Sequence, residues 1–464
     1  MKILSLSFTV LLTFICFENS AQNFEGTWTG GIQGLPLIFQ IDKTESGYTA
    51  KMQSPKQSKQ FLPMTSVRVQ SDSLIMKLDA YTIEYKGQLV GETISGIFTQ
   101  GGMRFSMELS RKPFDPSSMK RPQDPEPPYA YQVEEVSFLN KDANNIKLAG
   151  TLTLPPGIKN PPVAVLISGS GPQNRNEELL NHRPFLVLAD HLTKNGIAVL
   201  RYDDRGVGES EGNYATATSE DLATDAAAAV AYLKSRSDVD GNKIGLIGHS
   251  EGGLIAPMVI ADYQDDVAFF ISLAGPGVSG KEVLLPQLKK IAILNGASEE
   301  LANYENQMFK TVFEKINNHP KLSQAEMSKE IEEIISDFVA NGSEDFKKGY
   351  NQETQQSIAQ QFSQDWMRFF ITHDPTNDLQ KVDVPTLLLN GSLDYQIIPE
   401  LNLPEMEKKI KSNGNEDVTV IEFDGMNHLF QNATTGAGYE YEMIDETIAP
   451  KVLSTISEWI NERF

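Results

Sequence analysis

The sequence predicts an α/β fold with a mostly parallel sheet, preceded by a smaller all-β domain. Two patterns along the 464 residues carry this prediction. Residues 24–112 hold short segments in which apolar and polar side chains alternate, as in strands with one wet face. Beyond residue 131, short apolar runs alternate with helical stretches, which is typical of parallel strands covered by helices on both faces.

The all-β region, residues 24–112, is expected to form a small barrel or sandwich. Its clearest strand is MRFSMELS, residues 103–110, where every second side chain is apolar. A proline-rich segment follows at residues 113–130. Its six prolines between Pro113 and Pro128 are incompatible with regular structure, so we interpret this segment as a semi-rigid linker at a domain boundary.

The first 21 residues are predicted to be a secretory signal peptide. Lys2 precedes an apolar run over residues 3–17 that is too short to span a membrane, and the segment ends on the small residue Ala21. Bulky side chains before Cys16 are unlike a lipoprotein signal, so we expect a secreted or periplasmic protein. Cys16 is the single cysteine, and the mature chain would therefore contain no disulfide and no cysteine-ligated metal.

Charge and composition exclude several classes of partner. A formal net charge of −22 argues against nucleic acid, because such a protein cannot replace phosphate counterions. A hydrophobic fraction of 40% and a charged fraction of 22% are typical of a globular protein. No later stretch is long and apolar enough for a membrane span.

Residues 131–464 carry the second domain. Segments 133–140 and 146–155 are predicted to form a hairpin, and six buried-type strands follow at 163–169, 197–203, 243–249, 267–275, 384–391 and 418–425. Eight strands that begin with a hairpin are the arrangement of the α/β-hydrolase fold. Between the sixth and seventh strands, from about Gly277 to Phe370, the pattern is helical, which predicts a cap over the carboxyl ends of the strands, where ligands bind.

The stretch GLIGHSEGG, residues 245–253, predicts the nucleophile. Ser250 stands between Gly248 and Gly252 where an apolar strand turns into a helix, the pattern of a nucleophile elbow. Such a turn exposes the serine hydroxyl at the edge of the sheet. His249 is expected to point away from the serine and to pack in the interior.

A serine hydroxyl needs a base, and the base needs a carboxylate that orients it. In this fold the chain order is serine, acid, histidine. Of six histidines, only His428 lies after the last predicted strand. Asp394 follows the preceding strand and is the predicted acid; Asp383 lies at the wrong end of that strand, while Glu422 and Asp424 remain weaker alternatives.

Two backbone N–H groups are needed to bind the developing oxyanion. One belongs to Glu251, directly after the nucleophile, and the other is expected from Ser170 in the loop SGSGPQNRN. No group of His, Asp and Glu has metal-ligand spacing, and no motif predicts a cofactor.

At these residues the sequence resembles bacterial α/β-hydrolases of the serine aminopeptidase-like and cinnamoyl-esterase-like type. The stretches ISGSGPQNRN, LRYDDRGVGES, IGHSEGG, LNGSLDYQI and MNHLFQ carry the resemblance over nearly the whole mature chain. It implies hydrolysis of small or aromatic carboxylic esters, including polysaccharide-linked ones, by Ser250, Asp394 and His428. Ser168 departs from the histidine that often opens the oxyanion loop, which puts the packing of that loop in question.

We therefore predict a secreted or periplasmic serine hydrolase that cleaves carboxylic esters through an acyl-enzyme. A serine aminopeptidase or acyl-peptide hydrolase of the same fold is the alternative. A carbohydrate-binding or partner-binding protein is the alternative from another class, and the predicted triad argues against it. The sequence does not reveal the oligomeric state.

Overall fold

A computed structural model describes residues 24–32, 35–45, 47–55, 60–100, 103–115, 121–262 and 266–464. The predicted signal peptide, residues 1–21 with Cys16, lies outside the described residues. Among the helices of the described residues, none combines the length and the hydropathy needed to cross a bilayer. The chain divides into two compact units, Met1–Met119 and Lys120–Phe464.

The first unit is an antiparallel sheet. Its strands are β1 (Gly26–Ile32), β2 (Leu35–Thr44), β3 (Gly47–Gln53), β4 (Leu62–Pro63), β5 (Ser66–Gln70), β6 (Ser73–Leu78), β7 (Ile83–Val90), β8 (Thr93–Gln100) and β9 (Met103–Ser110). They pair in the order β4-β3-β2-β1-β9-β8-β7-β6-β5. Met64 and Thr65, which join β4 to β5, donate to Ala50 O of β3 (2.9 Å) and Lys77 O of β6 (2.7 Å). One short segment thus bonds to β3 near one end of this order and to β6 near the other, and the sheet closes on itself as a barrel around Trp28, Phe39 and Tyr85.

The second unit contains an eight-stranded sheet, which confirms the predicted α/β-hydrolase fold. Its strands are β10 (Gln132–Asn140), β11 (Ile146–Leu154), β12 (Val163–Ile167), β13 (Ala198–Tyr202), β14 (Ile244–His249), β15 (Phe269–Leu273), β16 (Thr386–Gly391) and β17 (Val418–Phe423). Their order is β10-β11-β13-β12-β14-β15-β16-β17. The hairpin β10–β11 is antiparallel, β11 pairs antiparallel with β13, and the remaining neighbours are parallel.

Helices accompany the sheet and fill the interval between β15 and β16. They are α1 (Pro184–Lys194), α2 (Ser219–Lys234), α3 (Gly252–Asp262), α4 (Gly280–Leu294), α5 (Glu299–Asn318), α6 (Gln324–Asn341), α7 (Glu344–Gly349), α8 (Gln352–Ser363), α9 (Asp365–Thr372), α10 (Thr376–Leu379), α11 (Pro399–Lys411), α12 (Gly438–Tyr441) and α13 (Pro450–Asn461).

The parallel strands are apolar throughout because they are buried on both faces. Along β12, Val163 and Val165 pack with α2, α3 and α11, whereas Ala164 and Leu166 pack with α1 and α13. Side chains of a strand point alternately to opposite faces, so each face receives its own core.

The helices α4 to α9 form the cap, which has a core of its own. Phe362 of α8 lies 5.3 Å from Phe309 and 5.5 Å from Phe313, both of α5, measured between ring centroids. The two ends of the cap meet, because the N–H of Gly280 donates to His373 O at 3.3 Å. The cap therefore leaves the sheet and returns to it at one place.

The second half of the proline-rich segment is bound to the second unit. The guanidinium of Arg121 donates to Ile444 O (3.0 Å) and Glu442 O (2.7 Å), and Gln123 Nε2 donates to Ile448 O (2.8 Å). Tyr131 OH, just beyond the segment, donates to Asp190 Oδ1 at 2.9 Å. Residues from Arg121 onward are thus held by side-chain hydrogen bonds, although they form no regular structure.

Candidate active site

The turn from β14 into α3 holds Ser250 in an unusual backbone conformation. Its φ is +52°, in the left-handed region that a serine rarely adopts. The flanking glycines leave no room for side chains: a Cβ on Gly248 would lie 2.0 Å from Gly252 O, and one on Gly252 would lie 2.1 Å from Ile167 O. The spacing of glycine, serine and glycine thus follows from contact between β14, the start of α3 and the end of β12.

Asp394 and His428 meet at the carboxyl ends of β16 and β17. Asp394 Oδ2 lies 2.7 Å from His428 Nδ1, and the side chain of Asp394 is fully buried. Its other oxygen, Oδ1, accepts from the N–H groups of Gln396 (2.8 Å) and Ile397 (3.0 Å). An ionised carboxylate only accepts hydrogen bonds, so His428 carries its proton on Nδ1 and keeps a lone pair on Nε2.

The alternative carboxylates lie elsewhere. Asp383 and Glu422 are exposed, and Asp424 is exposed with only a 3.4 Å hydrogen bond from Ser392 Oγ to its Oδ1. Among the described residues, Asp394 is the predicted carboxylate that lies within hydrogen-bonding distance of His428.

The loop after β12 passes directly beside Ser250. A Cβ built on Gly169 would lie 3.2 Å from Ser250 Cβ, and Ser170 and Glu251 line the same cavity as Ser250. Ser168, at the start of this loop, donates to Asp204 Oδ1 at 2.9 Å. Asp204 Oδ2 also accepts from the N–H of Gln173 (2.8 Å), and burial raises the pKa of Asp204 to about 8. Ser168 and Gln173 thus both bind this loop to Asp204.

His249 is buried, as the sequence predicted, but both of its ring nitrogens have polar partners. Its Nδ1 lies 2.8 Å from Glu177 Oε1, its Nε2 lies 3.1 Å from His428 O, and the two imidazole rings are 4.9 Å apart. Burial by itself lowers the pKa of His249, but the charge and hydrogen bond of Glu177 outweigh it, and the net pKa is raised. Glu177 directly follows the stretch ISGSGPQNRN, but sequence reasoning assigned it no role.

A cavity of about 780 Å³ opens at Ser250 between the sheet edge and the cap. The core contributes Ser170, Gly171, Pro172, Tyr214, Ser250, Glu251, Gln396 and Ile397, and the cap contributes Val283, Leu284, Gln287, Gln361, Gln364, Trp366, Met367 and Phe370. Apolar and carboxamide side chains dominate this lining. Such a surface suits an uncharged, partly apolar ligand.

The side chain of Glu251 joins the elbow to the cap. Its Oε1 accepts from Ser219 Oγ at the start of α2 (2.6 Å) and from Trp366 Nε1 of α9 (2.7 Å). Burial raises the pKa of this carboxyl and so favours its neutral form. The sequence predicted the backbone of Glu251 as an oxyanion donor but gave no sign of this side-chain contact.

Comparison with known proteins identifies the family. The family model described as serine aminopeptidase, S33, matches residues 183–434, more than half of the chain. The chain belongs to this family. The S33 match confirms the resemblance predicted from the motifs and identifies a hydrolase of the α/β-hydrolase fold. It extends from the start of α1 to just beyond His428.

Individual relatives are more distant. Esterase EstD of Thermotoga maritima is 26% identical over 331 residues, which cover 71% of this chain and 69% of that protein. Among solved structures, an esterase of Pyrococcus furiosus has 16% identity and a TM-score of 0.43, covering 75% of this chain and 94% of that one. Est1E of Butyrivibrio proteoclasticus, solved with ferulic acid, has 19% identity and a TM-score of 0.40, covering 71% and 98%.

Proposed function

We propose that this S33 family member is a serine esterase whose catalytic triad is Ser250, Asp394 and His428. The 2.7 Å contact between Asp394 and His428 is the observation that carries the proposal. It stands at the strand ends beside a strained serine elbow, and it leaves His428 Nε2 free to accept a proton. Such an arrangement activates a serine hydroxyl, which is a weak nucleophile by itself.

The reaction would proceed in two halves. Ser250 Oγ attacks the ester carbonyl as its proton moves to His428 Nε2, and the oxyanion is bound by the N–H groups of Glu251 and Ser170. The intermediate expels the alcohol, which takes the proton from His428, and leaves an acyl-enzyme on Ser250. Water then repeats the sequence, and the carboxylic acid leaves. Each oxyanion donor of this kind typically contributes about 3 kcal/mol to the barrier reduction.

The lining of the cavity favours esters of small or aromatic acids over peptides. An aminopeptidase must hold the ammonium group of its substrate, usually with an ionised carboxylate. Glu251 is the acidic side chain among the described lining residues, its Oε1 accepts from Ser219 and Trp366, and its raised pKa favours the neutral form. The relative Esterase EstD is named as an esterase, which supports an ester over a peptide as substrate.

A fluorophosphonate probe tests the proposal directly. We expect it to label Ser250, and we expect Ser250→Ala to lose both labelling and turnover of p-nitrophenyl acetate. The same enzyme should cleave p-nitrophenyl acyl esters faster than aminoacyl p-nitroanilides. Labelling of another serine would refute the triad, and preference for the anilides would replace the esterase by a peptidase.

We further propose that the protein is exported and that its first domain is not needed for the chemistry. The signal-peptide pattern of residues 1–21 supports export, and the mature amino terminus should then be Gln22, as mass spectrometry of the exported protein would reveal.

The first unit supplies none of the proposed catalytic residues. A chain that begins at Lys120 should therefore fold and hydrolyse p-nitrophenyl acetate; a folded but inactive product would contradict this.

A further inference from the structure

Three separated segments meet at one buried pair of side chains, Glu177 and His249. Glu177 Oε1 accepts from the N–H of Gly169 at 2.7 Å and lies 2.8 Å from His249 Nδ1. His249 Nε2 lies 3.1 Å from the carbonyl oxygen of His428. Through Glu177 the pair bonds to the oxyanion loop, and through His249 it bonds to the loop that carries the proposed base, His428. His249 itself directly precedes Ser250 at the elbow.

The partners of His249 determine where its protons lie. A carbonyl oxygen only accepts, so Nε2 must carry a proton and donate it to His428 O. Nδ1 faces a carboxylate oxygen that already accepts from Gly169, and a proton on Nδ1 completes that contact. This geometry favours an imidazolium at His249, and the charge and hydrogen bond of Glu177 raise the pKa of His249.

The backbone at Glu177 is strained to make this contact. Its φ is +51°, in the left-handed region, although the residue is neither glycine nor asparagine. Its side chain is buried, and its second oxygen, Oε2, has no hydrogen-bond partner among the described residues. Strain and an unpartnered carboxylate oxygen both oppose folding, and such features concentrate at functional sites.

We infer that Glu177 and His249 are positioning residues that hold the oxyanion loop and the His428 loop at fixed distances from Ser250. This inference rests on the function proposed above. Neither residue is assigned contact with the substrate. Their effect on the rate follows from the placement of the oxyanion donors and of the base His428, which must be accurate to a fraction of an ångström. A displacement of about 1 Å costs about 100-fold in rate.

The charge state gives the pair a pH dependence of known sign. The groups that face His249 are the carboxylates of Glu177 and Asp394 and the backbone of His428, whose ring lies 4.9 Å away and is tilted by 43°. Because the pKa of His249 is raised, the ion pair is intact at low pH and is lost as the pH rises through that pKa. Neutral His249 would turn a lone pair toward Glu177, so we expect kcat to fall along an alkaline limb.

Two substitutions in the full chain separate charge from geometry. Glu177→Gln keeps an acceptor but removes the charge, so His249 loses its proton earlier and the alkaline limb of kcat should move at least about one pH unit lower. His249→Phe keeps the ring and removes both hydrogen bonds, so kcat per labelled Ser250 should fall about 10- to 100-fold at every pH, with KM changed less than about threefold. His191→Phe is the control, because in the described part of the chain the ring of His191 contacts Ser457 Oγ (3.0 Å) and Asn195 Nδ2 (3.4 Å), neither of which belongs to the proposed site.

Rates with p-nitrophenyl acetate, normalised to fluorophosphonate-labelled sites, are the first readout, and thermal unfolding shows which variants fold. A Glu177→Gln profile that superimposes on that of the wild type would overturn the inference, as would normal kcat in folded His249→Phe. The control should unfold at a lower temperature yet keep its profile. A general loss of stability moves unfolding temperatures but does not move an alkaline limb.

A second readout does not depend on activity. Nitrogen NMR of the imidazoles should find both nitrogens of His249 still protonated at about pH 6.5, where an ordinary imidazole is half titrated, in the wild type but not in Glu177→Gln. An ordinary titration of His249 in the wild type would overturn the ion pair, even in an active enzyme. Absence of Ser250 labelling in the wild type would instead refute the proposed esterase, and the NMR result would still decide the pair.

Discussion

Replacement of Asp394 by asparagine should disable the enzyme while leaving its shape almost unchanged. Oδ1 of Asp394 accepts two backbone N–H groups, from Gln396 and Ile397, and Oδ2 faces His428 Nδ1. An asparagine at this position keeps its oxygen on the two N–H donors and turns its amide toward His428. The histidine must then accept at Nδ1 and carry its proton on Nε2, where it cannot take the proton of Ser250.

The geometry also sets the size of the effect. Rotation of the asparagine side chain by 180° would restore the working tautomer but would leave two backbone donors without partners, at a cost of at least about 2 kcal/mol. About 3% of molecules would hold that orientation, and they would still lack the carboxylate that stabilises the imidazolium. The expected loss in kcat is about 10⁴-fold, or about 5.5 kcal/mol of transition-state stabilisation.

Steady-state hydrolysis of p-nitrophenyl acetate measures this loss, and thermal unfolding checks the fold. Asp424→Asn is the matched control, since Asp424 is exposed and should change kcat less than about twofold. Asp394→Asn with more than about a tenth of the wild-type kcat would refute the tautomer argument. A larger loss in Asp424→Asn would assign the acid to the other strand.

Three further perturbations have defined outcomes. Gly252→Ala places a Cβ 2.1 Å from Ile167 O, so the purified protein should unfold at a markedly lower temperature or fail to fold, and a normal unfolding temperature would contradict the packing of the elbow. Burial raises the pKa of Asp204 to about 8 in the folded chain, whereas the unfolded chain releases this proton near about pH 4, so stability falls as the pH rises between these two values. Asp204→Asn should therefore flatten the fall of the unfolding temperature over this pH range. An unchanged slope would contradict this argument. Replacement of residues 280–373 by a short loop should broaden acyl-chain preference while some acetyl ester hydrolysis remains, and an unchanged preference would show that the cap does not select the acyl group.

The main features of the second unit were predictable because each rests on a local pattern. Strands such as Val163–Ile167 are apolar on both faces, which identifies a covered parallel sheet. The cap was recognisable because a long helical interval interrupts the alternation before β16. The candidate triad followed from chain order, and the structure brings Asp394 and His428 within 2.7 Å.

What the sequence could not predict depends on contacts between distant loops. The position of His249 next to Ser250 does not reveal which residues its side chain contacts. Glu177 and His428 lie far from it along the chain, and a lone glutamate in a loop has no periodicity. Likewise, the contact between Trp366 and Glu251 depends on how the cap packs on the sheet. The amphipathic pattern of a cap helix shows that one face is buried, but it does not show against which residues.

The meeting of the two cap ends bears on how the sheet assembles. Strands β15 and β16 are neighbours, yet roughly 110 residues separate them, and closing so long a loop costs about 1.6 kcal/mol more than closing roughly 18 residues. If the cap folds first, the Gly280–His373 contact shortens the effective loop to the smaller length. A cap weakened by Phe313→Ala should therefore slow refolding of the whole sheet in stopped-flow experiments, although Phe313 belongs to the core of the cap.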